Sequence, residues 1–150
     1  MGASDYASDW HSYTEKRDDF ALDSFSIERD QAELLPYIQE ALARRPDMQF
    51  FGSPWSPPTW MKSPSVYNYG RFRMEPRYLD TYARYFVRFL ETYKARGVRV
   101  GQVHPQNEPV ADQKFPSCVW TGEQLCDFIG GHLGLVLARE ALTPKCGSGR

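Results

Sequence analysis

The feature that most constrains this chain is an alternation of short apolar runs with long amphipathic stretches, each pair joined through a loop. Residues 48–53 form a brief apolar run bounded by turn formers, which reads as a strand buried on both faces. Further on, Pro76 fits a first helical position, and Leu79, Tyr82, Phe86, Phe89, Leu90 and Tyr93 recur at helical spacing. Gly97 fits just past that helix's end. Its aromatic stripe is read as core against a sheet. Residues 98–103 are the next strand, which stops by Val103 or His104 because Pro105 cannot donate to a ladder. Thr121, with Gln124 three residues on, opens a helix reaching about Arg139. Repeated strand, loop and helix predict an α/β fold with a parallel sheet, its strand-to-helix loops all on one face.

Upstream, residues 1–25 show no sustained period and read as a long loop. Residues 30–45 place Leu34, Leu35, Ile38, Ala41 and Leu42 on one helical face, with Asp30 and Glu33 spaced as a capping box. The chain has 150 residues, and 18 Lys and Arg against 19 Asp and Glu give a net charge of −1. Its arginines are scattered among acids, so a nucleic-acid surface is not expected. No apolar run approaches the ~18 residues of a membrane span, and the start has neither a basic nor an apolar leader segment. Cys118, Cys126 and Cys146 are odd in number and lack a C-x-x-C spacing, so they read as packed or incidental thiols. His11 and His132 show no ligand spacing, and no metal or cofactor is implied.

Two loops carry the chemistry. Gln106-Asn107-Glu108-Pro109 places a carboxylic acid where a strand opens into a loop, with an amide directly before it. In a parallel barrel, catalytic groups sit on the loops leaving the C-terminal strand ends. The run from Phe50 to Lys62 begins as a strand and ends as a Pro-stiffened, Trp-bearing loop, which puts Trp55 on the same face as Glu108.

The segments Ser53-Pro54-Trp55-Ser56-Pro57-Pro58-Thr59-Trp60-Met61-Lys62, Gln106-Asn107-Glu108-Pro109 and Phe115-Pro116-Ser117-Cys118-Val119-Trp120-Thr121 together resemble glycoside hydrolase family 30, the glucosylceramidase-like retaining β-glycosidases. Gly2-Ala3-Ser4-Asp5-Tyr6 resembles the stretch leaving the family's second barrel strand, and the likeness covers residues 2–144. It implies part of a (β/α)8 TIM barrel, from about strand 2 or 3 to helix 4, with residues 1–150 as one partial domain. A whole barrel needs about 200–250 residues. The remaining strands and the family's β-sandwich domain fall outside this chain.

Glu108 then matches the general acid/base. Asp5 matches a residue that binds sugar hydroxyls, Trp55 a subsite ring and Asn107 the amide on the 2-hydroxyl, while Tyr6 and Trp120 are expected to line the same pocket. Retaining enzymes hold two carboxyl groups roughly 5–5.5 Å apart. The family's nucleophile lies on the seventh strand, outside this chain, and neither Asp112 nor the helix-borne Glu91, Glu123 and Glu140 substitutes for it.

The resemblance thus implies a β-glucoside or glucosyl-lipid substrate of the glucosylceramide type, and an isolated chain that is inactive. The alternative is a non-catalytic truncated product or a sugar-binding half-barrel. Uncovered barrel edges predict self-association. Full-length relatives are often secreted or lysosomal, and the location of this chain stays open. Residues 143–150 depart from the apolar strand expected there, which suggests a break in the reading frame near Lys145.

Overall fold

In the computed structural model the chain runs α1 (Glu28–Ala32), α2 (Leu34–Arg44), β1 (Phe50–Gly52), a 3₁₀ turn (Thr59–Met61), β2 (Lys62–Ser63), β3 (Arg71–Phe72), α3 (Pro76–Ala95), β4 (Val100–Val103), α4 (Gly122–Asp127), a π-helical stretch (Phe128–Leu133) and α5 (Gly134–Leu142). The structure describes residues 1–7 and 9–142, so the expected change of pattern at residues 143–150, with Cys146, lies outside the described residues.

α3 organises the packing. Leu79, Tyr82, Phe86, Phe89 and Tyr93 are buried, as their helical spacing predicts; Leu90 is half-buried, and Tyr78 and Tyr85 are buried as well. The helix lies against β4, α5 and the π-helical stretch. β1 and β4 pair in parallel, with Phe50 opposite Val100, Phe51 opposite Gln102 and Gly52 opposite Val103. Close approach of α3 to the sheet requires the glycine at 52, where a Cβ would sit 2.8 Å from the Phe89 ring. This is the βαβ unit expected from the sequence.

Three expectations change. The helix predicted over residues 30–45 is two helices, broken at Glu33, whose φ and ψ are −125° and −63°. Pro36 explains the break, because its ring and missing N–H are incompatible with a helix continuing from Ala32. Asp30 is accordingly no cap: it is buried and accepts from the hydroxyls of Tyr13 (2.6 Å) and Tyr93 (2.5 Å).

The first strand is not buried on both faces. β1 pairs with β4 alone among the described residues, and Phe51 is 64% exposed. The last helix does reach past Arg139 and begins with the expected capping box, in which Thr121 and Gln124 bond reciprocally. It passes, however, through a π-helical stretch. There a Cβ on Gly134 would meet the Ile129 carbonyl at 2.8 Å, so glycine permits the wider turn.

Residues before Glu28 form the expected long loop, held by polar side chains. Asp19 accepts from Thr14 Oγ1, from the Ser24 hydroxyl and backbone N–H, and from the Asp23 backbone N–H. These donors outweigh its burial and bring the carboxyl down to about 2. A small antiparallel hairpin, β2 with β3, sits within the long loop between β1 and α3. No described helix is long and apolar enough to cross a membrane.

Candidate active site

The two loops leaving β1 and β4 are stitched together at the C-terminal end of the parallel pair. The His104 N–H still donates to the Gly52 carbonyl (2.9 Å), and the pairing then gives way at Pro105. Beyond it, the Asn107 N–H donates to the Pro54 carbonyl (2.9 Å). The buried Gln106 side chain donates to the carbonyls of Trp55 (2.7 Å) and Asn107 (2.9 Å). Trp55 and Asn107 are thereby set side by side.

Glu108 follows at once, with φ +45°. A side-chain-bearing residue rarely adopts this left-handed conformation, which costs about 1–2 kcal/mol against an ordinary one. Surrounding bonds hold it there: Ala111 N–H donates to the Glu108 carbonyl (3.0 Å) and Trp120 N–H to the Pro109 carbonyl (2.8 Å). Its side chain is exposed, and Oε2 accepts from Gln113 Nε2 at 3.1 Å. A carboxyl held by a neutral amide and open to solvent can exchange a proton with a ligand without first breaking an ion pair.

Trp55 and Asn107 line a cleft of about 330 Å³ whose other walls are mainly apolar, Ile38, Phe50, Phe89 and Val98 among them, and neither Glu108 nor Asp5 is among its lining residues. A second cleft, of about 620 Å³, adjoins it through Leu34 and is walled by Tyr6, Asp9, His11, Arg29 and Asp30. Tyr6, 93% exposed, therefore belongs to the neighbouring cleft rather than to that of Trp55. Asp5 is half-buried, and its Oδ1 is buried with no hydrogen-bond partner among the described residues.

Trp120 corrects the expectation of a pocket wall. It is 1% exposed, stacks on Phe72 at 4.6 Å and packs against Tyr82 and Phe128. The bond from its backbone N–H to the Pro109 carbonyl draws the loop's return into the core, while its indole N–H is buried with no hydrogen-bond partner among the described residues. Cys118 beside it is buried and free, and burial pushes its thiol up to about 12, so it packs rather than reacts. Glu91, Glu123 and Glu140 are exposed on α3, α4 and α5, and the exposed Asp112 accepts from the Gly70 N–H (2.9 Å). His104 lies 3.0 Å from the Gln102 amide and beside the Phe51 ring.

Sequence reasoning passed over Gln106, Gln113 and Lys62, although all three hold the loops. Gln106 adjoins the Asn107-Glu108 pair, and that adjacency is its one signal. Nothing in the spacing of Gln113 or Lys62 marks either.

The Glycosyl hydrolase family 30 TIM-barrel domain matches residues 1–144. The lysosomal acid glucosylceramidase of Mus musculus is 34% identical over 94% of this chain and 29% of its own length. An endo-1,6-beta-D-glucanase of Neurospora crassa is 28% identical over 85% of this chain and 27% of its own. Among solved structures, the endo-beta1,6-glucanase BT3312 superposes with a TM-score of 0.85 at 27% identity, covering 94% of this chain and 32% of that one. The chain thus spans under a third of the length of these relatives.

Proposed function

The chain belongs to glycosyl hydrolase family 30 as part of its TIM-barrel domain, and on that premise we propose that it carries the acid/base half of a retaining β-glycosidase site. The observation that carries this reading is the placement of Glu108. A carboxyl on a strained residue at the exit of a parallel strand, directly after an asparagine whose loop is tied to the Trp55 loop by the Asn107 N–H and the Gln106 side chain, is where barrel enzymes keep their chemistry.

The roles follow from the groups. Glu108, protonated, gives its proton to the glycosidic oxygen as that bond to the anomeric carbon breaks. A carboxylate from beyond this chain forms the new bond to that carbon. Glu108, now ionised, then takes a proton from the water that releases the sugar. Asn107 supplies hydrogen bonds to a ring hydroxyl, Asp5 accepts from others, and the Trp55 ring packs on the sugar's apolar face.

The cleft beside Trp55 is within the usual range for small-ligand sites, roughly 300–1,000 Å³. The substrate class is a β-linked glucoside, the chemistry shared by the glucosylceramidase and the endo-β1,6-glucanases that this chain is similar to. Because the second carboxylate is supplied from elsewhere, the chain alone binds sugar and does not turn it over.

Incubating the purified chain with an aryl β-glucoside while following Trp fluorescence tests this. Binding that disappears in Trp55→Ala, with no released phenol, is the expected result. Release of phenol that persists in Glu108→Gln, or no saturable binding of gluco-oligosaccharides at millimolar concentration, overturns it.

A further inference from the structure

A buried amine sits where three loops meet. Lys62 opens β2 directly after the Trp60-Met61 turn and is 0% exposed. Its Nζ donates to Ser56 Oγ (3.0 Å), to the Tyr67 carbonyl (2.8 Å) and to the Ser117 carbonyl (2.6 Å). An ammonium has three N–H donors, and all three are used.

The acceptors come from separate segments. Ser56 belongs to the loop after β1, next to Trp55; Tyr67 lies in the β2–β3 connection; Ser117 lies in the loop after Glu108. The last two segments are tied further, by Ser117 N–H to the Tyr67 carbonyl (3.0 Å), Val119 N–H to the Gly70 carbonyl (2.8 Å) and Tyr69 N–H to the Gln113 carbonyl (3.2 Å). Gln113 is the residue whose amide holds the Glu108 carboxyl. An apolar side chain could fill the volume of Lys62 without the cost of desolvating a charge. What the ammonium alone supplies is three donors from one point.

We propose that Lys62 is a positioning residue: its ammonium fixes the loop bearing Trp55, the hairpin connection and the loop bearing Glu108 in one register, acting on Glu108 through Ser117 and Gln113. The catalytic consequence rests on the reading of Glu108 given above; the staple itself does not. Burial brings the amine down to about 8. The titratable groups that act on it are Asp112 and the Cys118 thiol, which is neutral in this range. A neutral amine keeps two N–H groups, so deprotonation leaves one of the three acceptors without its donor.

Amide hydrogen exchange on the whole chain, without sugar, reads the staple directly. In Lys62→Met, protection at Asn107, Ser117 and Val119 should fall roughly tenfold or more, while amides within α3 keep theirs. Unchanged protection at those three amides overturns the proposal. If Lys62→Met loses the α3 amides as well, the wild-type chain decides by NMR titration. The Asn107, Ser117 and Val119 amide shifts should then follow the Lys62 Nζ resonance with one shared midpoint, and amides insensitive to that titration overturn the proposal. Because neither readout involves sugar, a chain that shows the staple but binds no glucoside refutes the proposed function and the catalytic consequence, and leaves the staple itself standing.

Discussion

The face of α3 and the loop layer above the strands are held together by opposite means. Beneath α3, six aromatic side chains from one helix are buried, and Tyr82 alone has the rings of Phe72, Tyr85, Phe86, Phe128 and Trp120 within about 6.4 Å. In the loop layer, single polar groups each serve several partners: Lys62 three segments, Asp19 three residues, Gln106 two carbonyls. Hydrophobic burial is non-directional, so a helical period of apolar residues is enough to mark which face is buried. A loop has no period, and its register rests on directional bonds from a few residues. Stability is therefore concentrated in one region and chemistry in the other.

The largest expected effect breaks the first region. Tyr82→Ala should lower unfolding free energy by about 3–5 kcal/mol, measured by urea denaturation, because it empties the centre of the aromatic cluster. Tyr82→Phe sharpens the point. The Tyr82 hydroxyl is buried with no hydrogen-bond partner among the described residues, so its removal should cost nothing or stabilise by about 1 kcal/mol.

Next come the polar hubs, which pH separates. The amine of Lys62 is lowered in the fold from its ordinary 10.5 to about 8, so above about 8 the unfolded chain holds more protons at this group, and stability rises with pH until the Cys118 thiol begins to oppose it near 9. Lys62→Met should flatten that rise. Above about 10 the sign reverses, because burial raises the hydroxyls of Tyr13, Tyr82, Tyr85 and Tyr93 as well as the Cys118 thiol, and their contribution is lost as pH climbs. At the acid end, the depressed carboxyl of Asp19 contributes about 2 kcal/mol above pH 4, lost as pH falls through about 2. Asp19→Asn should remove that acid-dependent part, as read by melts between pH 2 and 5.

The open strand face offers a smaller change. Phe51 is 64% exposed beside the Trp55 cleft, and Phe51→Glu should lower self-association in sedimentation experiments without altering the helical circular dichroism. Smallest in stability is Glu108→Gln. Its side chain is exposed and bonded to one amide, so the melting curve should shift by no more than about 0.5 kcal/mol in either direction. A large loss of stability in Glu108→Gln would erase the contrast between the two regions.

Much of this was legible in the chain. The spacing of Leu79, Tyr82, Phe86, Phe89 and Tyr93 marked α3 and its buried face, because a helix repeats its contacts every three to four residues. Pro105 marked the end of β4, and Thr121 with Gln124 marked the start of α4, because backbone donors and caps act over one turn. That the loops bearing Trp55 and Glu108 leave the same end of the parallel pair followed from strand order alone. The break at Glu33 was also written locally, in Pro36, although the apolar pattern ran across it. Trp120 was misplaced because its loop motif carries no record of which way the loop returns. That direction depends on the bond from its backbone N–H to the Pro109 carbonyl and on the space left between Phe72 and Phe128.

The sequence by itself determined the α/β class, the order of the βα units and the strand exits at which the two proposed site loops begin, since periodicity, caps and strand exits are interactions between near neighbours. Only the tertiary structure decided that Lys62 joins residues 56, 67 and 117, that Gln113 holds Glu108, and that Trp120 lies in the core. Those contacts join loop positions far apart in the chain or set by how a loop folds back, and no local propensity encodes which distant carbonyl a buried amine will meet.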